Sequence, residues 1–311
     1  MSDRALLPVV ARDVRHALRS GRGVVALEST LISHGLPAPQ NLEVAFASEA
    51  AVRAQGAVPA TVAIHFGRLV LGLRRAELEE LAEAEGVLKV SRHNLAAALG
   101  APGWGSTTVS ATMIAAHQAG IRAFATGGIG GVHRGGERSF DISADLEELA
   151  RTPVAVVCSG PKSILDARLT LEYLETRGVP VVGCGTDELP GFYARESGLP
   201  VPMSVGTPAE AAALARRHWA LGLDSGIVFV VPVPEGAALS RAEADGAIEQ
   251  ALAEADAAGI HGPVATPWVL RRVAELTEGR STAANVALIE HNAEIAARIA
   301  VAGIMPAPRS S

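Results

Sequence analysis

Lysine is scarce in this sequence, although positive charge is not. The 311 residues include 27 lysines and arginines together, and only Lys89 and Lys162 are lysines. Drift toward arginine codons explains the bias itself. Arginine replaces lysine where a permanent charge is enough, but a guanidinium does not deprotonate in proteins and an amine can. The two remaining lysines are therefore candidates for a reactive amine or a compact, movable cation.

Cysteine and long apolar runs are scarce as well. The two cysteines, Cys158 and Cys184, stand in apolar segments, which is typical of a reducing cytoplasm and not of a secreted disulfide framework. No apolar run approaches the roughly 18 residues of a membrane helix. The N-terminal residues lack the apolar core of a signal peptide. We therefore predict a cytoplasmic protein without a membrane partner.

Basic charge is low relative to acidic charge. The sequence has 27 basic and 33 acidic residues, so its net charge is −6. A nucleic acid polymer requires a basic face, and this balance argues against such a partner. A hydrophobic content of 49% is enough for a sizeable core.

Short apolar runs alternate with Ala- and Leu-rich segments along the chain. The predicted strands are 23–28, 60–65, 68–73, 121–126, 153–158, 179–184 and 226–232. The predicted helices are 40–55, 75–85, 106–119, 142–150, 162–177, 208–221, 239–257, 267–278 and 282–302. This alternation is typical of a mostly parallel sheet with helices on both faces. We expect one three-layer α/β/α domain over 1–311 with a frayed tail at 303–311. Its functional site should lie at the carboxyl ends of the strands.

Two residues stand where such a site would form. Glu28 ends the apolar segment VVALE. Loss of hydration there would raise its pKa toward that of a useful acid, although a capping or ion-paired carboxylate fits the position equally well. Lys162 follows the strand VAVVC in the turn SGPK and is predicted to lie in the first turn of a helix. The positive helix end and Lys89 would lower the pKa of this amine, and a neutral amine is a Schiff-base nucleophile.

Three other segments are candidates for binding an anion. Lys89 is predicted to lie near the end of a short strand, with Arg92 beside it. Residues 106–108 (STT) are predicted to open a helix, where amides and hydroxyls bind phosphate or simply cap the helix. The glycines of 127–136 lack the spacing of a dinucleotide site, and the segment around Lys162 lacks that of a P-loop. The glycines therefore indicate mainly a close approach of the backbone.

A pair of aspartates suggests a metal site. Asp141 and Asp145 are four residues apart and are predicted to share a helix face. Two carboxylates at that spacing suit Mg²⁺ or Mn²⁺, although Asp141 could equally cap the helix. His133 stands alone among glycines and would serve as a ligand only together with others. No closed zinc site is indicated.

Seven segments, taken in order, resemble the pseudouridine-5′-phosphate glycosidase family. They are ALESTLISHGLPAPQN, GAVPATVAI, KVSRHNL, GSTTVSATM, TGGIGGVHRG, SFDISADL and VVCSGPKSILD. The likeness runs from about Gly23 to the segment STAANVALIEHNA around Asn285. The resemblance implies reversible cleavage of pseudouridine 5′-phosphate to uracil and ribose 5-phosphate, a glycosidase reaction that breaks a carbon–carbon bond as a lyase does. It also implies an α/β/α fold, a homotrimer and one Mn²⁺ per subunit.

The same resemblance assigns roles to individual residues. Lys162 matches the family's nucleophile, Glu28 its proton donor and Asp141 its metal ligand. Matches to substrate contacts or to the lining of the site are Lys89, Val109, His133, Ser143, Ala144, Asp145 and Asn285. We add Thr126 to the substrate-binding residues, because the loop 126–131 or the 106–108 segment would hold the 5′-phosphate together with Lys89.

The residue types fit this chemistry. Ordinary glycosidases protonate a leaving oxygen or nitrogen, whereas a C-glycoside leaves through carbon. We predict that Glu28 protonates the ring oxygen, that Lys162 captures the sugar C1 as an imine, and that the iminium accepts the electrons of the breaking bond. Two other classes stay open. One is a phosphosugar-binding regulator without turnover, and the other is a metal-dependent phosphotransferase that uses the glycine-rich loop.

Overall fold

The computed structural model describes residues 8–260 and 265–304. Its helices are α1 (Arg12–Arg19), α2 (Gln40–Ala54), α3 (Arg75–Glu83), α4 (Leu95–Ala98), α5 (Val109–Ala119), α6 (Gly136–Ser139), α7 (Ala144–Leu149), α8 (Ala167–Thr176), α9 (Pro208–Ala220), α10 (Arg241–Ala257), α11 (Ala265–Leu276) and α12 (Arg280–Val301). Its strands are β1 (Val9–Val10), β2 (Val24–Leu27), β3 (Val58–His65), β4 (Arg68–Leu71), β5 (Leu88–Val90), β6 (Trp104–Thr107), β7 (Ala123–Ala125), β8 (Val132–His133), β9 (Ala155–Cys158), β10 (Leu165–Asp166), β11 (Val181–Cys184), β12 (Met203–Val205) and β13 (Ile227–Val230).

One large sheet organises these elements. Its strand order is β1-β4-β3-β2-β7-β9-β13-β11-β12, and β6 pairs with the second half of β3 and with β5. The seven strands from β3 to β12 in this order are parallel. β4 and β6 run antiparallel to β3. The carboxyl ends of β2, β7 and β9 therefore lie side by side at one edge of the sheet, where their following residues meet.

Helices cover both faces of the sheet. Along β2, Val24 and Ala26 pack into a core cluster with α1, α5 and α7, whereas Val25 and Leu27 pack into a second cluster with α2, α9 and α12. Successive side chains of a strand point to opposite faces, so a strand that is apolar at every position must be covered twice. The predicted three-layer α/β/α architecture is confirmed.

The seven predicted strands and nine predicted helices are all present, with ends that shift by a few residues. The patterns do not predict α1, α4, α6 or the short strands β1, β6, β8, β10 and β12. A two- to four-residue strand, often at a sheet edge, leaves little periodicity to read. The predicted tail at 303–311 lies outside the described residues from position 305 onward. Among the described helices, none combines the length and apolar character needed to cross a membrane.

Two predicted helix starts are wrong. Residues 104–107 form β6, because they pair with β3 and β5, and α5 begins only at Val109 after an extended Thr108. The helix predicted over 162–177 begins at Ala167. Before it, Leu165–Asp166 pairs with β8, and the Asp166 carboxylate accepts a hydrogen bond from the Leu169 N–H at 2.9 Å, which caps α8.

Candidate active site

Glu28 lies directly after β2 and is buried, with 5% of its surface exposed. One carboxylate oxygen accepts a hydrogen bond from the Thr30 hydroxyl and the other from the Thr126 hydroxyl. Thr126 follows the neighbouring strand β7, and its carbonyl accepts a 2.9 Å hydrogen bond from the Asn292 side chain. No salt bridge of Glu28 forms among the residues that the structure describes. Two hydroxyls and a sheet edge therefore hold this carboxylate in a fixed place.

Lys162 lies in the loop between β9 and β10 and is half-buried. Its backbone N–H donates a 3.0 Å hydrogen bond to the carbonyl of Ile129 in the glycine-rich loop. The prediction that Lys162 occupies the first turn of a helix is wrong, since α8 begins at Ala167. The positive end of a helix therefore does not act on this amine in the predicted way, and its surroundings are the glycine loop and the neighbouring strand ends.

Lys89 lies in β5 opposite Ser106 of β6. Loss of hydration and, next, the positive charge of Lys162 lower the pKa of Lys89, while the carboxylates of Glu28 and Asp145 act in the opposite direction. These effects require the four groups to lie near one another. The structure thus brings Glu28, Lys89, Asp145 and Lys162 together from four separate parts of the chain.

The Asp145 carboxylate accepts hydrogen bonds from two backbone segments that border this cluster. It accepts the Ser110 N–H at 3.0 Å and the Gly130 N–H at 2.9 Å. A β-carbon at Gly130 would stand 2.1 Å from the Ser143 hydroxyl, so the expected close approach of backbone is confirmed there. Ser143 caps α7 by accepting the Asp145 N–H at 3.2 Å. Asp145 therefore ties the start of α5 to the glycine-rich loop, while Val109 and Ala144 are the first residues of α5 and α7.

Asp141 lies outside α7, which begins at Ala144. The prediction that Asp141 and Asp145 share a helix face is therefore wrong, and the Asp145 carboxylate is engaged by backbone amides. The Asp141 side chain is 61% exposed, and its Oδ2 lies 3.8 Å from Nδ1 of His133. Within residues 8–260 and 265–304, no group of three or more His, Cys, Asp or Glu side chains is arranged to hold a metal ion. At this position the structure places one carboxylate, Asp141, beside one imidazole, His133.

Arg92 has different surroundings from those expected. The Arg92 guanidinium forms a salt bridge with Glu148, which is buried, so it is not an unengaged cation beside Lys89.

Asn285 lies on α12 and is half-buried. It stands seven residues before Asn292, on the same helix face, and Asn292 donates to the carbonyls of Thr126 and Gly127. Asn285 therefore lies on the face of α12 that is directed at this edge of the sheet.

The sequence patterns do not identify His34, which the structure places beside Lys89. Its Nδ1 lies 2.7 Å from the Ser33 hydroxyl and 3.1 Å from the Ser106 hydroxyl. Burial and the charge of Lys89 lower the pKa of His34. His34 lies in the short π-helix Leu31–Gly35 that follows the Glu28 strand, and its significance comes from the hydroxyls and the lysine that it meets across the fold.

Comparison with known proteins defines the class to which this site belongs. The family described as "Indigoidine synthase A like protein" matches residues 13–302, and the chain belongs to this family. Within it, a pseudouridine-5′-phosphate glycosidase of Methylobacterium nodulans is 57% identical over 94% of this chain and 87% of the relative. One of Paracoccus denitrificans is 55% identical over 95% and 98%. The predicted resemblance to pseudouridine-5′-phosphate glycosidases is therefore confirmed.

A solved structure carries the same fold. The prealnumycin C-glycosynthase AlnA, in complex with ribulose 5-phosphate, superposes with a TM-score of 0.89 at 40% identity, over 96% of this chain and 97% of that one. The likeness spans nearly the whole of both chains.

Proposed function

We propose that this protein cleaves the C–C glycosidic bond of pseudouridine 5′-phosphate reversibly, giving uracil and ribose 5-phosphate. The observation that carries the proposal is the assembly of a buried, hydroxyl-bound Glu28 with two lysines, Lys89 and Lys162, at one sheet edge. The curated relatives that share more than half of this sequence are named for that activity. AlnA, a relative that binds ribulose 5-phosphate, supports a pocket for a phosphorylated sugar.

The chemistry begins with opening of the ribose ring. Glu28 gives its proton to the ring oxygen as the bond between that oxygen and C1 breaks, and the Lys162 amine bonds to C1 in its place and releases a proton. The uracil carbon then takes up a proton and the C–C bond breaks with its electron pair staying on uracil, while the lone pair of the lysine nitrogen forms the C=N bond of a protonated imine. Water then hydrolyses the remaining imine, releasing ribose 5-phosphate and the free amine. The sum is pseudouridine 5′-phosphate plus water giving uracil plus ribose 5-phosphate.

The remaining site residues bind and orient the substrate. We assign the 5′-phosphate to Lys89, to the loop that starts at Thr126, and to the start of α5 at Val109. Ser143, Ala144 and Asp145 would contact the substrate from the start of α7, while His133 and Asn285 would line the site. Holding the sugar near both Glu28 and Lys162 supplies much of the rate enhancement, because the reacting atoms meet in a productive geometry.

A divalent cation fits beside this cluster. The exposed carboxylate of Asp141 and the nearby imidazole of His133 are donor types that Mn²⁺ accepts, and water molecules would supply the other ligands. We propose that Asp141 holds one Mn²⁺ per subunit, where the ion supplies positive charge and orients water.

We also propose the assembly and location implied by the family resemblance. The enzyme would act as a homotrimer in the cytoplasm. Burial raises the pKa of both thiols, Cys158 and Cys184, to about 12, so they are poor nucleophiles.

Borohydride trapping tests the central step. Purified protein with Mn²⁺ is incubated with ribose 5-phosphate and reduced, and the modified peptide is identified by mass spectrometry. We expect one reduced adduct, on Lys162, and uracil release from pseudouridine 5′-phosphate by absorbance. A reduced adduct on another residue, or no adduct at all, would contradict this mechanism. Ligand-induced stabilisation without uracil release would favour a regulator, and ATP binding without an adduct would favour a phosphotransferase.

A further inference from the structure

A small cavity adjoins Glu28. Its volume is about 10 Å³, and three polar side chains line it: Glu28, Ser48 and Thr61. The other lining residues are apolar and come from β2, α2, β7, α12 and the turn after Glu28. A volume of this size accommodates one water molecule, and a buried water needs two to four polar partners to be stable. The cavity meets both requirements.

Ser48 supplies an independent reason for a guest in this cavity. The residue is 2% exposed in α2, and its hydroxyl has no hydrogen-bond partner within the described part of the chain. Buried hydroxyls nearly always find a partner, and a serine in a helix commonly turns to the carbonyl one turn earlier. Here the unpaired hydroxyl belongs to a residue that lines a cavity of one-water size next to a carboxylate.

The other two polar groups have capacity for a further hydrogen bond. Each oxygen of Glu28 accepts one protein hydroxyl, and a carboxylate can accept about four hydrogen bonds in all. The Thr61 hydroxyl donates to Oε1 of Glu49 at 2.7 Å and can still accept. A water between them would donate to Glu28 and Thr61 and accept from Ser48, which satisfies every group.

We propose that this cavity binds one ordered water, which joins Glu28 through Thr61 to Glu49 in a continuous hydrogen-bonded path. Glu49 forms a 2.9 Å salt bridge with Arg53, and both side chains line an open groove of about 1250 Å³. The groove also includes residues of β1, β4 and α3, so it is distinct from the cluster around Lys162. The path therefore connects the proton donor to a second solvent-accessible surface.

The path gives Glu28 a route for protons that does not pass through the substrate pocket. It rests on the proposed function, in which Glu28 donates a proton to the sugar. The Thr61 hydroxyl first turns from Glu49 to the water. The Glu28 carboxylate then takes a proton from the water, the water takes the Thr61 hydroxyl proton, and Thr61 takes a proton from a Glu49 carboxyl that the groove solvent has protonated. Each transfer breaks one O–H bond and forms one, and the reverse sequence removes a proton from Glu28.

High-resolution crystallography of the wild-type protein and of Ser48→Ala tests the water itself. We expect a density peak within hydrogen-bond distance of the Ser48 hydroxyl and the Glu28 carboxylate in the wild type, and a weaker or absent peak in the variant. An empty cavity, or a Ser48 hydroxyl turned to the Val44 carbonyl, overturns the proposal. This outcome does not depend on catalysis, so it is separable from failure of the proposed function.

Kinetics of Thr61→Val tests the path. The side chain keeps its shape and loses its hydroxyl, so we expect kcat in dilute buffer to fall roughly tenfold, less than the loss of a complete general acid. Imidazole, a small proton carrier, should restore the rate in proportion to its concentration, while the wild-type rate stays independent of it. Glu49→Gln should show the same rescue, which keeps the test valid if Thr61→Val does not fold.

Thr277→Val is the matched control, because it removes a buried hydroxyl just after α11 that donates to the Val273 carbonyl at 2.8 Å. Its kcat should match the wild type with or without imidazole. An unchanged kcat in Thr61→Val, or a loss that imidazole does not rescue, contradicts the path. If the wild-type protein forms no adduct with ribose 5-phosphate, the proposed function fails instead.

Discussion

The site has two regions that are built in opposite ways. Around Glu28, a buried carboxylate is held by two hydroxyls that themselves belong to the sheet edge. Around Asp141, an exposed carboxylate stands in a loop, with one imidazole at 3.8 Å. The enclosed region has its geometry before any substrate binds, whereas the open region has most of its coordination capacity free. We infer that the first holds and moves protons and that the second gains its structure from what it binds.

The two lysines near Glu28 also differ. Lys89 is fixed in register within a strand, opposite Ser106. Lys162 lies in a loop whose backbone is anchored to Ile129. A side chain on a strand has a fixed orientation, which suits a charge that positions a phosphate. A side chain on a loop can move with the sugar C1 as the bonds of that carbon change. Substitutions in the two regions and at the two lysines should therefore have effects of different size and kind.

The largest effect is expected for Lys162→Arg. Arginine keeps the positive charge but cannot form an imine, so kcat should fall at least about 10⁴-fold while ribose 5-phosphate binding partly survives. Uracil release measures kcat, and the mass of the reduced adduct shows whether an imine forms. Lys89→Arg is the control, and it should still form the adduct. A reduced adduct on the Lys162→Arg protein would show that another amine is the nucleophile.

Glu28→Gln should have the second largest effect. Glutamine fills the same space, accepts one threonine hydroxyl at its oxygen and donates to the other from its amide, but it cannot give up a carboxyl proton, so kcat should fall roughly 10³-fold. Steady-state uracil release measures this. Glu290→Gln is a matched control, because it removes a carboxyl whose pKa burial raises and which lies on α12 outside the cluster. Similar losses in the two variants would mean that Glu28 acts through stability and not through its proton.

Asp141→Asn tests the open region. We expect Mn²⁺ affinity to fall at least tenfold and the activity at limiting metal to fall with it, while the enclosed region keeps its geometry. Isothermal titration with Mn²⁺ and the metal dependence of kcat measure the effect. Asp256→Asn, an exposed position on α10, should leave both unchanged. Equal Mn²⁺ affinity in the wild-type and Asp141→Asn proteins would remove Asp141 as the ligand.

The smallest effect concerns the pH dependence of Lys89. Its pKa is lowered by loss of hydration and by Lys162, so the ammonium loses its proton at a lower pH than an ordinary lysine. As pH rises through that lowered pKa, the phosphate contact weakens and KM should rise about tenfold. Lys89→Arg should show a flatter KM over the same pH range, because its charge persists. A wild-type KM that is constant up to the pKa of an ordinary lysine would contradict this assignment.

The same shift affects stability in a defined direction. Between the lowered pKa of Lys89 and the ordinary value, the unfolded chain binds more protons than the folded one at this position. The Lys89 contribution to the free energy of unfolding therefore rises with pH in that window. Chemical denaturation of the wild type and of Lys89→Met across the window measures it, and the difference between the two should change in this direction.

Much of the fold could be predicted because the central strands carry a strong pattern. Runs such as Val24–Leu27 and Ile227–Val230 are apolar at every position, which only a strand covered on both faces explains. The errors fall where local pattern and tertiary pairing disagree. Residues 104–107 precede a segment that resembles a helix start, but they form a strand that pairs with β3 and β5. After Lys162, Leu165–Asp166 pairs with β8 before the helix α8 begins.

The candidate site could be predicted residue by residue but not as an arrangement. Glu28 and Lys162 were identifiable because each follows a buried strand. The error at Asp141 and Asp145 came from a helix assumed to include both, although the Ser143 cap starts α7 after Asp141. His34 and Ser48 carry no distinctive local signal, because their significance lies in what they meet across the fold.

The sequence by itself determined the layered sheet, the edge at which the site forms, and the chemical types available there, including an amine that arginine cannot replace. Only the tertiary structure decided which of these groups meet. Parallel strands from distant parts of the chain end side by side, so Glu28 reaches Thr126, Lys89 reaches Lys162, and Ser48 and Thr61 meet Glu28 around one cavity. Local propensity depends on neighbours along the chain, whereas desolvation, hydrogen-bond satisfaction and charge coupling depend on neighbours in space.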